Sequence, residues 1–181
     1  ETQRMYAKRL MKDIDVMGKR YGEIPVETIF IGGGTPSVPD SALIVEIMEH
    51  VRHAFHVADG AEISMEANPG TVTREKLTDY RKAGINRLSF GLQSANDREL
   101  KLLGRIHTWA EFLESFTLAR ECGFANLNID LMSALPGQTC ESWKETLSRV
   151  TDLDPEHISA YSLIIEEGTP FGERYGSEEG R

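Results

Sequence analysis

Val26-Glu27-Thr28-Ile29-Phe30-Ile31 runs straight into Gly32-Gly33-Gly34-Thr35-Pro36-Ser37. A short β-branched and aromatic run that stops at glycines and a proline reads as a strand closed by a tight turn. The same pairing recurs along the chain. Glu62–Ala67 precedes Asn68-Pro69-Gly70, and Arg87–Leu92 precedes Gln93-Ser94. Asn126–Met132 runs on to Pro136-Gly137-Gln138-Thr139, and His157–Leu163 carries Tyr161-Ser162 near its end. Helical patterns fill the intervals: Thr2–Arg20, Asp40–Ala54, Thr73–Ala83, Thr108–Cys122 and Glu141–Asp152. In the second, Leu43, Ile44, Ile47, Met48 and Val51 share one face behind an Asp40 or Ser41 cap. Gly84 and Gly123 mark helix ends. Alternation of this kind with short connections predicts an α/β fold of parallel strands with right-handed crossovers. A doubly wound sheet and a full or partial (β/α) barrel both satisfy it.

The chain has 181 residues, enough for one domain with a sizeable core. Hydrophobic residues at 40% and charged residues at 27% are ordinary for a soluble globular protein. A net charge of −9 gives no general attraction to nucleic acid or anionic lipid, so neither is expected as a partner. No apolar run approaches the roughly 20 residues of a membrane span. The opening Glu1-Thr2-Gln3-Arg4 has no signal-peptide character, and a cytoplasmic location is expected. Two cysteines, Cys122 and Cys140, are too few for a disulfide framework or for a metal site built from this chain alone. His50, His53 and His56 recur every three residues, but that spacing drifts around a helix and no cysteine accompanies it, so no metal is assigned. The first helix begins already in pattern, and the polar Gly176-Ser177-Glu178-Glu179-Gly180-Arg181 brings no closing element, so both ends read as cut.

Ligands of parallel α/β folds collect at the C-terminal ends of the strands. Here that rim carries Gly32–Thr35, Glu66, Gln93, Asp130 and Tyr161-Ser162, groups that a hydrophobic core would not require. Glycines let a ligand approach the backbone, and Thr35 adds a hydroxyl. The Lys and Ser/Thr of a P-loop are absent, which excludes nucleoside triphosphate binding. Glu66 shares a face with Ser64, opposite Ile63 and Met65, so it points into the barrel or its rim. There it suits a ligand ammonium or a ribose hydroxyl, or else an ion pair with Arg87. Gln93 suits a hydroxyl or an adenine edge. Asp130, between Ile129 and Leu131, follows the logic of Glu66. Arg105 is a candidate carboxylate clamp or a surface residue, and His107 reads as a surface or cap histidine.

Taken together, Ile31–Ser37, Glu62–Pro69, Asn86–Ser94, Asn128–Met132 with Leu135–Thr139, and His157–Leu163 resemble the radical S-adenosylmethionine (SAM) superfamily, in its coproporphyrinogen III oxidase-like branch. Ser162–Phe171 is more similar to the HemW-type heme chaperones than to the true oxidases. The resemblance implies a partial (β/α)6 TIM-like radical SAM barrel with its first strand missing. Residues 1–172 would form the core, and 173–181 would begin a linker to a further domain. By position it assigns Gly33, Gly34 and Thr35 to the loop holding the methionine end of SAM. Glu66 matches a SAM-contacting carboxylate, and Gln93, Arg105, Asp130 and Ile164 match further SAM contacts. The family's CxxxCxxC loop, which ligates a [4Fe-4S] cluster, has no counterpart here, and Ser133-Ala134 stands where the family usually has Tyr-Gly.

The implied function is the SAM-binding core of a HemW-like heme chaperone, with heme or a porphyrinogen and a heme-acceptor protein as partners. The alternative is an oxygen-independent coproporphyrinogen III oxidase. The cluster would belong to the full-length protein only. Without its three thiolates this chain is expected to be catalytically inert, to contain no catalytic residue of its own, and to bind SAM weakly. A reading that sets the resemblance aside is a metabolic barrel with a phosphate site at Gly32–Thr35.

Overall fold

The computed structural model describes residues 1–176. Its elements follow in chain order as α1 (Thr2–Tyr21), β1 (Val26–Ile31), α2 (Ser41–Ala54), β2 (Val57–Ala67), α3 (Arg74–Lys82) and β3 (Arg87–Gln93). Then come α4 (Asp97–Leu102), α5 (Trp109–Glu121), β4 (Asn126–Ser133), α6 (Cys140–Thr151), β5 (His157–Ser162) and α7 (Pro170–Tyr175). The strands pair in sequence order, every pair parallel, and the sheet curls into a half-barrel. The predicted partial barrel is therefore the observed one, and the doubly wound alternative falls because no strand order reverses.

Sequence reading misses two elements. Helix α4 spans six residues, too short for an apolar stripe to repeat. Helix α7 also has six residues, with Pro170 at its first turn and Thr169 as its cap. It crosses the expected core–linker boundary at residue 172, and the remainder of the expected linker, 177–181, lies outside the described residues. Strand β2 begins at Val57 rather than Glu62, because a register irregularity between Val26 and Thr28 absorbs Ala58-Asp59-Gly60.

The two faces of the sheet differ in chemistry. On the convex face Ile63, Met65, Leu88, Phe90, Leu127, Ile129 and Leu131 are at most 3% exposed. They pack against Leu77 and Tyr80 of α3, Phe112 and Phe116 of α5, and Val150 of α6. Phe90 meets Phe112 edge to face with centroids 6.2 Å apart. Each fully buried side chain of this kind contributes about 1.5–3 kcal/mol. The concave face is polar. Register places Glu66 beside Ser89, Ser89 beside Asn128, Gly91 beside Asp130 and Asp130 beside Ser159. Strands of a parallel sheet are usually apolar on both faces. The alternation here means that helices cover one face while the other must satisfy polar groups among themselves or with a ligand.

Candidate functional site

The concave face and the strand ends enclose a cavity of about 180 Å³, lined by Gly34, Thr35, Glu66, Asn68, Gln93, Asp130 and Tyr161 among others. It adjoins a larger apolar groove of about 740 Å³ between the start of α1, the glycine loop and α2. Gly34, Thr35 and Pro36 line both, so the glycine loop is the saddle between a polar hole and an apolar trough. The smaller space is below the roughly 300–1,000 Å³ of a small-molecule site. The two joined reach that range.

The loop after β1 is tied to the end of β2. The Gly33 N–H donates to Glu66 Oε2 at 3.0 Å, and Asn68 Nδ2 donates to Thr35 Oγ1 at 3.2 Å. Gly33 and Gly34 adopt φ of 84° and 56°, and a Cβ at either would meet nothing within 4 Å. Their requirement is conformational, and it leaves bare backbone facing the saddle. Glu66 Oε1 has no hydrogen-bond partner among the described residues. It makes no ion pair among the described residues, and Arg87 instead donates to Ser64 Oγ and faces His157.

Asp130 is held by two donors, Ser89 Oγ at 3.0 Å to Oδ2 and Asn128 Nδ2 at 2.8 Å to Oδ1. Ser159 Oγ completes the layer by donating to Asn128 Oδ1. These bonds fix the carboxylate at the cavity wall. Gln93 is 9% exposed and has φ 73°, a left-handed conformation costing a non-glycine residue about 1–2 kcal/mol. Tyr161 Oη donates to Gln93 Oε1 at 2.9 Å, which leaves the Nε2 amide as donor. Burial, then the nearby Asp130 charge, pushes the Tyr161 hydroxyl above its ordinary pKa of 10.0, so it remains a neutral donor. A Cβ on Gly91 would press on Gln93 Nε2, Asn68 Oδ1 and Arg105 Nη2 at 3.2, 3.3 and 3.4 Å, so the glycine gives these three polar groups room at the wall.

The geometry places Arg105 more closely and corrects the reading of His107. Arg105 is half-buried rather than a surface residue. Its Nη2 donates to Asn68 Oδ1 at 2.8 Å and to the Gly91 carbonyl at 2.9 Å, two residues of the cavity lining. Burial lowers its pKa from the usual arginine value. His107 is not a surface histidine: it is 4% exposed, with Nε2 3.2 Å from the Leu92 carbonyl. Both placements have one cause: the segment after α4 brings Arg105 and His107 to the carbonyls at the end of β3. Ile164 is 78% exposed and stands apart from the cavity lining. Asn68 and Ser89 line the cavity without having been singled out, and Tyr161 lines it as its place on the rim suggested. Asn68 and Ser89 continue the two-residue period of Glu66 and of Gly91–Gln93, the signal that could have found them.

The radical SAM superfamily profile matches residues 2–150. This chain belongs to the radical SAM superfamily. Among curated radical SAM relatives, the Escherichia coli (strain K12) protein named heme chaperone HemW is 42% identical over 169 residues, covering 93% of this chain and 45% of that protein. Radical S-adenosyl methionine domain-containing protein 1, mitochondrial, of Danio rerio is 34% identical, over 88% of this chain and 36% of that protein. The chain thus spans less than half the length of the curated relatives it matches. Among solved structures, coproporphyrinogen III oxidase (HemN) from Escherichia coli superposes with TM-score 0.83 at 32% identity, over 92% of this chain and 39% of that one. Methylornithine synthase superposes with TM-score 0.66 at 20% identity, a likeness of fold alone.

Family membership implies SAM and a [4Fe-4S] cluster. The chain's residues fit the first. Bare glycine backbone, an open Glu66 oxygen, a donor amide and a second carboxylate suit a cation that also carries hydroxyls and an adenine edge. They do not fit the second. Cys122 caps the end of α5 and Cys140 opens α6, neither lines the cavity, and no metal-binding group of three ligands occurs among the described residues. The same holds for His50, His53 and His56. Among the described residues no helix is long and apolar enough to cross a membrane.

Proposed function

We propose that this chain is the SAM-binding core of a radical SAM protein of heme metabolism, of the HemW-like heme chaperone kind. One observation carries the reading: Gly34, Thr35, Glu66, Gln93 and Asp130, from four different strand ends, line one cavity beside an apolar groove. Gly33 and Gly34 present backbone to the ligand, and Glu66 Oε1 accepts from its ammonium or a ribose hydroxyl. The Gln93 amide donates to a hydroxyl or the adenine edge, and Asp130 adds negative charge opposite the cation. Arg105 braces Asn68 and Gly91 of this wall, and Ile164, in the loop after β5, would meet a ligand only where it extends past the cavity. When bound, SAM supplies the sulfonium whose reductive cleavage drives the family's chemistry. The residues described here bind and orient; none of them is placed to reduce.

The identities to HemW proteins across several bacteria, together with the Ser162–Phe171 segment, support heme and a heme-acceptor protein as partners of the whole protein. The structural match to HemN favours a second reading, oxidative decarboxylation of a porphyrinogen. Heme titration against coproporphyrinogen turnover, both on the full-length protein, separates the two. For the cavity itself, SAM at about 100 times its Kd should add about 2.7 kcal/mol to the chain's stability, read as a rise in thermal midpoint. Glu66→Gln should weaken SAM about tenfold, the loss of one charge-assisted hydrogen bond, with little change in the ligand-free midpoint. Protection by inorganic phosphate and none by SAM would overturn the reading in favour of a phosphate site. No 5′-deoxyadenosine should form when the chain is incubated with SAM and a reductant.

A further inference from the structure

The end of β3 departs from a regular ladder. Gly91 pairs with Asp130 and Gln93 with Leu131, so Leu92 is an extra residue, a bulge. Bulges interrupt the ladder and re-aim side chains beside functional sites. Here the two carbonyls at the bulge are taken by side chains from one short segment. Arg105 Nη2 donates to the Gly91 carbonyl at 2.9 Å, and His107 Nε2 lies 3.2 Å from the Leu92 carbonyl. The next residue is Gln93, at φ 73° with its amide at the cavity. Leu92 is fully buried, so its carbonyl has no water to turn to.

The protonation of His107 follows from its surroundings. Facing a carbonyl, Nε2 must carry the hydrogen. Nδ1 is buried without a partner among the described residues, so charging the ring would add a buried N–H with nothing to donate to. Arg105 stands close on the same segment and disfavours a second cation.

We infer that His107 is a positioning residue for the SAM site: as a neutral donor to the Leu92 carbonyl it holds the β3 bulge, and through it keeps Gln93 in the left-handed conformation that places its amide at the cavity. This deepens the SAM reading of the cavity and rests on it. Arg105 anchors the first bulge carbonyl and His107 the second, so two residues spaced for one extended segment fix one distorted strand end.

The test compares His107→Gln, whose Nε2 stands where the imidazole Nε2 does, with His107→Leu, which fills space and donates nothing. Both are titrated with SAM by calorimetry on the folded 181-residue chain, well below the thermal midpoint of each. His107→Leu should bind SAM about tenfold more weakly, and His107→Gln within about threefold of the unaltered chain, the scale of one lost buried hydrogen bond. Crystal structures of both variants should show Gln93 at positive φ in His107→Gln and relaxed to negative φ in His107→Leu. A residue that serves only packing would lower the midpoint in both variants without separating their affinities. Equal SAM affinity in the two variants, or an unmoved Gln93 in His107→Leu, overturns the inference. If the unaltered chain itself takes no SAM, the cavity reading fails, and the Gln93 conformation still decides the role of His107.

Discussion

The two faces of the sheet are built from alternate residues of the same five strands, yet they fail in different ways. The convex face is made of shapes: Ile63, Leu88, Phe90, Leu127 and Ile129 contribute through volume and area removed from water. The concave face is made of partners: Ser89, Asn128, Asp130 and Ser159 form a hydrogen-bonded layer in which each member satisfies another. A close-packed face can lose one methylene at a time and pay gradually in stability. A polar layer holds only while its donors and acceptors match, and its free lone pairs at the rim are what a ligand can use.

The largest test of that contrast is Phe90→Ala. Removing a fully buried ring that contacts Phe112 and Phe116 should cost about 3–5 kcal/mol in urea unfolding. A loss under about 1 kcal/mol would mean that the convex face is not the core. The matching change on the other face is Asn128→Leu, which inserts an apolar isostere among Ser89, Asp130 and Ser159. It should cost about 1–3 kcal/mol, because Asp130 and Ser159 lose their partner in a site that is 2% exposed. If Asn128→Leu instead stabilised the chain, the polar layer would have no structural role and would exist for ligand alone.

Ala134 belongs to neither face and tests the rim. It adopts φ 58° in the turn after β4, at the place where sequence reading noted the loss of a glycine. The backbone keeps the left-handed conformation and the Cβ bears the strain. Ala134→Gly should therefore raise stability by about 0.5–1 kcal/mol, the relief of left-handed strain less the entropy of a freer unfolded chain. An unchanged or lower midpoint would show that the surrounding turn, rather than φ, sets the cost.

The smallest effect concerns pH. Burial, and next the Arg105 charge, lower the His107 pKa from 6.5, with partial relief from its bond to Leu92 and from Glu111 and Asp97. Between that lowered value and 6.5 the unfolded chain holds a proton that the folded chain does not. Stability from this group is thus complete above 6.5 and is lost as pH falls through the window below it. Unfolding free energy measured from pH 7.5 down to 5 should decline more steeply in the unaltered chain than in His107→Gln, which cannot titrate. Parallel slopes would mean that His107 is open to solvent. Tyr161 raises no issue in this range, since its displacement is upward from 10.0.

How much of this was legible beforehand depends on how local the cause is. Strand positions, the helix cap at Asp40, and the inward aim of Glu66 and Asp130 follow from neighbours a few residues away. So does the expectation that Gly33 to Asp130 meet at one rim, because parallel strands with short returns bring their C-terminal ends together. The burial of His107 was misread because α4 is too short to announce itself. Glu99, buried in α4 and bonded to Ser94, Gln138 and Ser142, was not foreseen at all, since its partners come from three separate segments.

The sequence by itself determined the α/β architecture and the rim placement of Glu66, Gln93 and Asp130, since side-chain alternation along a strand is set by the backbone of each residue in turn. Only the tertiary structure decided that Leu92 bulges, that Gln93 turns left-handed and takes its hydrogen bond from Tyr161, and that Arg105 and His107 hold the two freed carbonyls. Those choices depend on which groups remain unpaired once the strands have stacked, and that is known only after every distant neighbour is in place.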